Sequence, residues 1–483
     1  MKQNSIASGI SWKLIERFSV QVIRFVLQIV LARILDPEHY GSLTLMVVFT
    51  TLANVFIQKG FSASLIQDKH VTEEDYSSVF WVTLGIAGIA YIVIWVAAPL
   101  IAYIYKLPEL ISPLRVLALL LFPGALNSVQ QSKASREMNF RRVFFTNVSG
   151  VIAAGAVGIA MAYMGFGLWS LVAQSVVSTT VSCLLMRLTA TWKIRPVCNW
   201  ARVKRLFSFG WKLLVSELLD TLYQDLYSLV IGIKFDSELL GYYNRGKQFP
   251  QFVVTSATST VQSVMLPAMS RQQDDRVQLK NLMRSSVSLS AYIVFPIMAG
   301  LAGVAEPLVR VVLTEKWLPS VPYMQIYCLA MAFIPIQTGC LQGINAVGRS
   351  DVFLKLAIIK TGCSLAVLIA AVYLFTSPIA IALVTVVTTL VGAVINAVYC
   401  RKLIGYGFRE QLSDIILPGL LTVLMLAGVM AAGRLPFGSM KLMLVQIVTG
   451  VVIYVAASCL TRPKPFVQLL QLAKQVMRSL IRK

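Results

Sequence analysis

Histidine is almost missing from this chain: His39 and His70 are the only two in 483 residues. Both fall in segments expected to be loops, and no zinc-type ligand set can be built from them at ligand spacing. Cysteine offers little more. Cys183, Cys198, Cys328, Cys340, Cys363, Cys400 and Cys459 are scattered, mostly inside apolar runs, and none forms a CxxC pair. They are expected to be small buried hydrophobes rather than disulfides or metal ligands. Charge is scarce, at 13% of residues, and acids are scarcer still, with 21 Asp and Glu against 43 Lys and Arg. A GxxxxGK[ST] phosphate loop is absent, so the chain itself is not expected to use ATP. No metal, cofactor or catalytic residue is expected.

What remains is apolar. Hydrophobic residues make up 57% of the chain, and the mean hydropathy is +0.74. That composition belongs to a polytopic membrane protein. The net charge of +22 would ordinarily raise nucleic acid as a partner. Here the basic residues lie in short loops between apolar runs, which fits anchoring beside anionic membrane lipids. With no soluble domain to carry it, nucleic-acid binding is not expected.

Apolar runs of about 20 residues recur along the whole length. They read as about fourteen spans, at 10–35, 41–63, 79–104, 114–132, 143–163, 166–188, 206–233, 247–268, 285–311, 321–345, 353–375, 378–400, 413–432 and 441–461. Polar residues dilute the first, seventh and eighth. Connections are short. Lys and Arg alternate across them, thirty in segments on the N-terminal side of the membrane and ten in the opposite ones. Both termini are therefore expected in the cytoplasm. The N-terminus lacks a cleavage site, and its apolar run is interrupted by arginine, so it does not read as a cleavable signal peptide. Residues 191–205 read as a basic interfacial linker. Beyond Pro465, Phe466, Leu469, Leu470, Ala473, Val476, Met477, Leu480 and Ile481 form one helical face and Lys474, Arg478 and Arg482 another. This tail (462–483) is expected to lie on the cytoplasmic leaflet.

An internal repeat sets the architecture. Trp12-Lys13-Leu14 matches Trp211-Lys212-Leu213, and Asp36-Pro37-Glu38-His39-Tyr40-Gly41 matches Asp236-Ser237-Glu238-Leu239-Leu240-Gly241. Phe122-Pro123 resembles Ile334-Pro335, and Gly167-Leu168-Trp169-Ser170-Leu171-Val172 corresponds to Ala380-Ile381-Ala382-Leu383-Val384. Six spans separate equivalent positions, so both halves share one orientation. The expected fold is all-α and integral to the membrane. Its N-lobe would be 1–190 (spans one to six), its C-lobe 206–402 (spans seven to twelve), and spans thirteen and fourteen would fill 403–461. Parallel repeats of this kind place substrate sites at their interface.

The first span carries charge where a lipid-facing helix carries none. Lys13, Arg17, Gln21, Arg24 and Gln28 recur at steps of four, four, three and four, on one helical face. An arginine near a helix centre costs roughly 2.5–3.5 kcal/mol on insertion scales, so such residues normally face a bundle interior or a watery cavity. The repeat maps this stripe onto Lys212, Ser216, Asp220, Tyr223 and Tyr227, with Glu217, Asp220 and Gln224 alongside. Span two adds Thr44, Thr51, Asn54 and Gln58. Span eight adds Arg245, Gln248, Thr255, Ser259 and Gln262. Spans one, two, seven and eight are expected to line a central polar cavity. The alternatives are pairing across helices and, for Lys234, Arg245 and Lys247 at span ends, snorkelling.

Several segments together carry a family resemblance. Phe207-Ser208-Phe209-Gly210-Trp211-Lys212-Leu213-Leu214, Leu240-Gly241-Tyr242-Tyr243-Asn244-Arg245 and Leu266-Pro267-Ala268-Met269-Ser270-Arg271 resemble spans seven and eight of polysaccharide-transport flippases. These are the Wzx-type proteins of the multidrug/oligosaccharidyl-lipid/polysaccharide exporter superfamily. Leu35-Asp36-Pro37-Glu38-His39-Tyr40-Gly41, Met138-Asn139-Phe140-Arg141-Arg142 and Gly165-Phe166-Gly167-Leu168-Trp169-Ser170-Leu171-Val172 are similar to further motifs of that family. The resemblance covers most of residues 1–410. It implies fourteen spans in two six-helix lobes, a bacterial inner-membrane location and no enzymatic activity. The implied cargo is a lipid-linked oligosaccharide of the O-antigen (lipopolysaccharide), capsule or exopolysaccharide kind, moved outward by alternating access. The polymerase and chain-length machinery of the same pathway are implied partners. Many members carry an acid where this chain has Tyr227, which shifts any acid-dependent ion coupling to Glu217, Asp220 or Asp225. Two other functions compete. A drug/cation antiporter on the same fold needs an acidic cavity, against which the span-one arginines argue. A membrane glycan polymerase or ligase needs catalytic residues on a sizeable external loop, and the external loops here are short.

Overall fold

The computed structural model describes residues 2–68, 71–190, 194–272, 275–347 and 350–471. Among them every regular element is a helix. This follows from the solvent: at hydrocarbon depth a backbone amide has no water to bond, and a helix satisfies its amides within one segment. The chain divides into two compact units, Met1–Gly241 and Tyr242–Lys483.

The first unit contains α1 (Lys2–Ile34), α2 (Pro37–Gln67), α3 (Glu73–Tyr105), α4 (Ile111–Ala118), α5 (Leu121–Arg136), α6 (Phe140–Tyr163), α7 (Leu168–Leu188) and α8 (Trp200–Lys234). α9 (Ser237–Ser270) starts in its last residues. The second unit continues with α10 (Arg276–Gly303), α11 (Ala305–Val312), α12 (Val321–Ala332), α13 (Ile334–Ala346), α14 (Ser350–Leu374), α15 (Pro378–Ile404), α16 (Phe408–Ala432) and α17 (Ser439–Thr461).

Eleven described segments are long and apolar enough to cross a membrane. α1, α8 and α9, with 33, 35 and 34 residues, are long enough as well. Their polar stripes hold their hydropathy down, and they are the three elements that composition alone marks as diluted. Two of the eleven segments are broken. Between α4 and α5 the amides of Leu119, Leu120 and Phe122 bond three residues back, at 3.1, 3.0 and 3.2 Å. Pro123 follows in the first turn of α5, where its missing N–H leaves no helical bond unmade. The same break separates α12 from α13, with Pro335 in the first turn of α13. The Phe-Pro and Ile-Pro pairs of the repeat are thus the points where each half interrupts a span.

The stretch expected as a linker is partly helical. Residues 200–205 form the first turns of α8, because the Asn199 side chain accepts from the amides of Ala201 and Arg202 at 3.1 and 3.4 Å. Among the described residues of that stretch, 194–199 are not helical, and they are tied to the start of α3. The Arg195 amide donates to Ser77 Oγ at 3.2 Å, the Asn199 amide to Ser78 Oγ at 3.0 Å, and Trp81 Nε1 to the Arg195 carbonyl at 2.9 Å. Residues 191–193 lie outside the described residues. So does most of the expected amphipathic tail, beyond residue 471. Its described beginning packs Phe466 and Leu469 against the core cluster that includes Tyr292, Met425 and Tyr454, with the Phe466 ring beside that of Tyr292.

α2 and α8 touch backbone to backbone. A Cβ on Gly210 would lie 1.7 Å from the Gly60 carbonyl oxygen, and Ser64 Oγ donates to the Leu206 carbonyl at 2.7 Å. At the other end of α2 the two repeat motifs meet. A Cβ on Gly41 would lie 1.7 Å from the Ser237 carbonyl oxygen, and one on Gly241 would lie 2.1 Å from that of Pro37. No side chain fits at either contact. Gly41→Val and Gly210→Val are therefore expected to destabilise the protein by about 2 kcal/mol or more, read as a lower melting temperature of the purified protein. Gly85→Ala, with open space around the added atom, is expected to leave it unchanged.

Candidate functional site

The polar stripe of α1 lies on a helix packed against α6. The side chains of Lys13 and Arg17 lie outside the described residues, as do those of Lys212, Asp220, Ser259 and Gln262. Of the rest of the stripe, Gln21 and Gln28 are half-buried and Arg24 is exposed on the surface of its unit. The residue that sequence reasoning missed is Glu16. It is 7% exposed, and Asn147 Nδ2 on α6 donates to its Oε1 at 2.9 Å. The signal was available: an acid inside a span, one residue before Arg17. Attention to the like-charged periodicity passed over it.

One turn before Glu16, Trp12 stacks on Phe144 and Phe145, with centroids 5.5 and 6.2 Å apart, and the Arg141 guanidinium lies 5.8 Å from the Trp12 ring. Close approach of α1 and α6 continues at Gly155, where a Cβ would lie 2.4 Å from Leu27.

On α8, Glu217, Tyr223 and Asp225 are half-buried, Gln224 is exposed and Tyr227 is buried. On α2, Thr44 and Asn54 spend hydrogen bonds on their own helix, to the carbonyls of Tyr40 at 2.8 Å and Thr50 at 3.1 Å. Thr51 is half-buried and Gln58 exposed.

Arg245 is held inside the second unit. It is 5% exposed, its Nη1 donates to Gln248 Oε1 at 2.6 Å, and its guanidinium lies 4.9 Å from the Trp317 ring. Tyr242 meets Trp317 edge-on at 6.1 Å, and the Tyr243 and Tyr327 hydroxyls are hydrogen-bonded. A planar guanidinium suits such a stacked pocket where an ammonium does not. Lys360 on α14 is a second residue not singled out from sequence. It is half-buried, and its stem lies beside Gly392 and the Gln337 carboxamide, whose Nε2 donates to the Thr389 carbonyl at 2.9 Å.

Charges are tied most densely at helix ends. Asp75 is fully buried and accepts from the Thr72 amide at 2.7 Å. Arg202 lies 3.6 Å from it and 3.0 Å from Glu74, and Arg205 lies 3.2 Å from Asp68. In the second unit Arg284 grips Asp414 with two nitrogens, at 2.9 and 2.6 Å, and Lys280 meets Glu410 at 2.7 Å. Burial, and then Asp414 itself, push the Tyr406 hydroxyl above its ordinary pKa, so it stays protonated and donates to Asp414 Oδ2 at 2.9 Å. These contacts fasten α16 to α10. Among the described residues no group of three or more His, Cys, Asp or Glu could hold a metal ion.

The arrangement is that of a multi-pass helical membrane protein, and comparison with solved structures places the fold. The chain is similar to the lipid II flippase MurJ in its inward closed conformation, with a TM-score of 0.76 at 14% identity, over 93% of this chain and 98% of that one. A multidrug resistance MATE transporter of the MOP superfamily, inward-facing, is similar with a TM-score of 0.61 at 15% identity, over 80% and 98%. The family model described as "Polysaccharide biosynthesis protein" matches residues 30–322, and the chain belongs to that family. Curated relatives include the succinoglycan biosynthesis transport protein ExoT of Rhizobium meliloti (strain 1021), 25% identical over 74% of this chain and 72% of its own. The teichuronic acid biosynthesis protein TuaB of Bacillus subtilis (strain 168) is 24% identical over 89% and 88%. The lipopolysaccharide biosynthesis protein WzxC of Escherichia coli (strain K12) is 23% identical over 73% and 72%.

Arg245→Ala removes a stacked guanidinium and the donor to Gln248. It is expected to cost about 2 kcal/mol of stability. Arg245→Lys is expected to recover less than half of that. Thermal denaturation of the purified variants checks both values.

Proposed function

We propose that this chain is a flippase for undecaprenyl-diphosphate-linked oligosaccharide repeat units, carrying them from the cytoplasmic to the outer leaflet of a bacterial inner membrane. What supports the proposal is the cationic stripe that the sequence puts on α1, in a chain of the polysaccharide biosynthesis family. Family membership and the names of ExoT, TuaB and WzxC support a glycan pathway. The likeness to MurJ supports a fold able to house a lipid-linked cargo.

The chemistry follows from the cargo. A diphosphate needs fixed positive charge, and guanidinium binds phosphate oxygens through paired N–H donors. Arg17 and Arg24 hold the diphosphate. Gln21, Gln28, Asn54, Tyr223, Gln224, Tyr227 and Gln248 offer hydrogen bonds to sugar hydroxyls. The prenyl tail stays in lipid. Fourteen spans form two lobes, 1–190 and 206–402, with 403–461 as two added spans and both termini in the cytoplasm. Rocking of the lobes exposes the site to each side in turn. Glu217, Asp220 or Asp225 couples the cycle to an ion. A drug/cation antiporter would need an acidic rather than a cationic cavity, and the excess of arginine on α1 argues against it.

Arg17→Ala and Arg24→Ala variants that reach the membrane at normal levels are expected to lose most surface glycan. Quantifying surface polysaccharide in a complemented deletion strain checks this. Full retention in both variants contradicts the assigned role.

A further inference from the structure

Between Glu137 and Glu217 the chain has no acid at all, yet it carries nine basic residues there. Arg142 is spent on the end of α7, where its Nε donates to Thr189 Oγ1 at 2.7 Å. The first turns of α8 have two faces. On one, Val203 and Leu206 are 3% and 2% exposed and join the core cluster of Phe61, Leu65 and Tyr76. Arg202 and Arg205 flank them and are neutralised by Glu74 at 3.0 Å and Asp68 at 3.2 Å. On the other face Trp200, Lys204, Phe207 and Trp211 recur at steps of four, three and four, within an arc of about 60°. Trp200 is 70% exposed, Phe207 41% and Trp211 45%. Lys204 and Arg195 are exposed, and no described residue pairs with the charge of either. α8 has 35 residues and is therefore about 52 Å long, against about 30 Å of hydrocarbon. Its first turns reach headgroup level, where the charges of Asp68, Glu73, Glu74, Asp75 and Lys133 also gather.

We propose that the Trp200–Lys204–Phe207–Trp211 face of α8, with Arg195 in the segment leading into it, binds the anionic headgroups of glycerophospholipids in the adjoining leaflet. Charge complementarity selects this occupant. The acids near the segment are engaged by Arg202 and Arg205 on the opposite face, and the segment has none of its own, so nothing on the exposed face repels a phosphate. The rings select a lipid over a soluble acidic partner. Trp and Phe place an apolar body against the upper acyl chains, and the indole N–H reaches the polar layer above. The Lys204 stem follows the rings, and its ammonium reaches the phosphate. The segment is then held from both sides, by carboxylates of α2 and α3 within the protein and by lipid phosphates outside it. The site stands whatever cargo the chain carries. In the orientation proposed above, the leaflet is the cytoplasmic one.

The test is quenching of tryptophan fluorescence in the full chain, reconstituted in phosphatidylcholine vesicles that contain either brominated phosphatidylglycerol or brominated phosphatidylcholine. Subtracting the signal of Trp200→Phe isolates Trp200 from the other seven tryptophans. Trp200 is expected to be quenched at lower amounts of the anionic lipid than of the zwitterionic one. Lys204→Gln and Arg195→Gln are each expected to weaken that preference about fivefold. Should one of them fail to accumulate, the other decides. Equal quenching by the two lipids in wild type means that the face only anchors the helix, and it overturns the proposal. So does a preference that both variants retain in full, or a Trp200 that neither lipid quenches. Undecaprenyl diphosphate added in trace amounts is expected to leave the quenching unchanged. Its displacement of brominated phosphatidylglycerol from Trp200 would give the face to a lipid-linked cargo and overturn the proposed occupant.

Discussion

A charge held at hydrocarbon depth must find its compensation within the protein, because the surrounding lipid offers none. Most of this structure obeys that constraint by avoidance. Eleven described helices are apolar enough to cross a membrane, and the ion pairs gather at helix ends. Arg202 and Arg205 engage Asp68, Glu74 and Asp75, and Arg284 grips Asp414. Among the described residues the exceptions include Glu16 on α1, the polar face of α8, Arg245 against Trp317, and Lys360 beside Gly392. A chain that retains such costly groups on a few helices is retaining them for work.

Two of the helices that carry those groups, α8 and α9, come into backbone contact with α2. α2 meets α8 through Gly60 and Gly210, and meets the start of α9 through Gly41 and Gly241. Backbone contact of this kind lets polar helices pack without bulky side chains. It also leaves no slack, so these contacts are made fully or not at all. The solved neighbours show that one fold serves unlike names, a lipid II flippase and a multidrug transporter. The fold therefore cannot choose a cargo. The proposed cargo rests instead on the charge that the sequence puts on α1.

Much of this was legible in the sequence, since a membrane leaves a simple imprint. Run length marked the long apolar helices, eleven of which among the described residues are apolar enough to cross a membrane. Pro123 and Pro335 marked the repeat, although the helix breaks beside them were not read from the sequence. The paired Asp-x-Glu-x-x-Gly motifs marked a repeat whose glycines turn out to touch. Other features were not legible. The start of α8 at Trp200 depends on the Asn199 cap, a local bond hidden in a basic stretch. The burial of Arg245 depends on Trp317, 72 residues away in sequence. The closeness of Glu16 to Asn147 depends on how α1 meets α6, which periodicity along one helix cannot reveal.

The central claim is that the chain moves a lipid-linked glycan across the membrane. The most direct measurement is the identity and leaflet of the lipid-linked oligosaccharide in cells lacking the protein. The account predicts complete undecaprenyl-diphosphate-linked repeat units accumulating on the cytoplasmic side, inaccessible to reagents added outside. Complete units exposed on the outer leaflet, or no accumulation at all while surface glycan is still made, would contradict it.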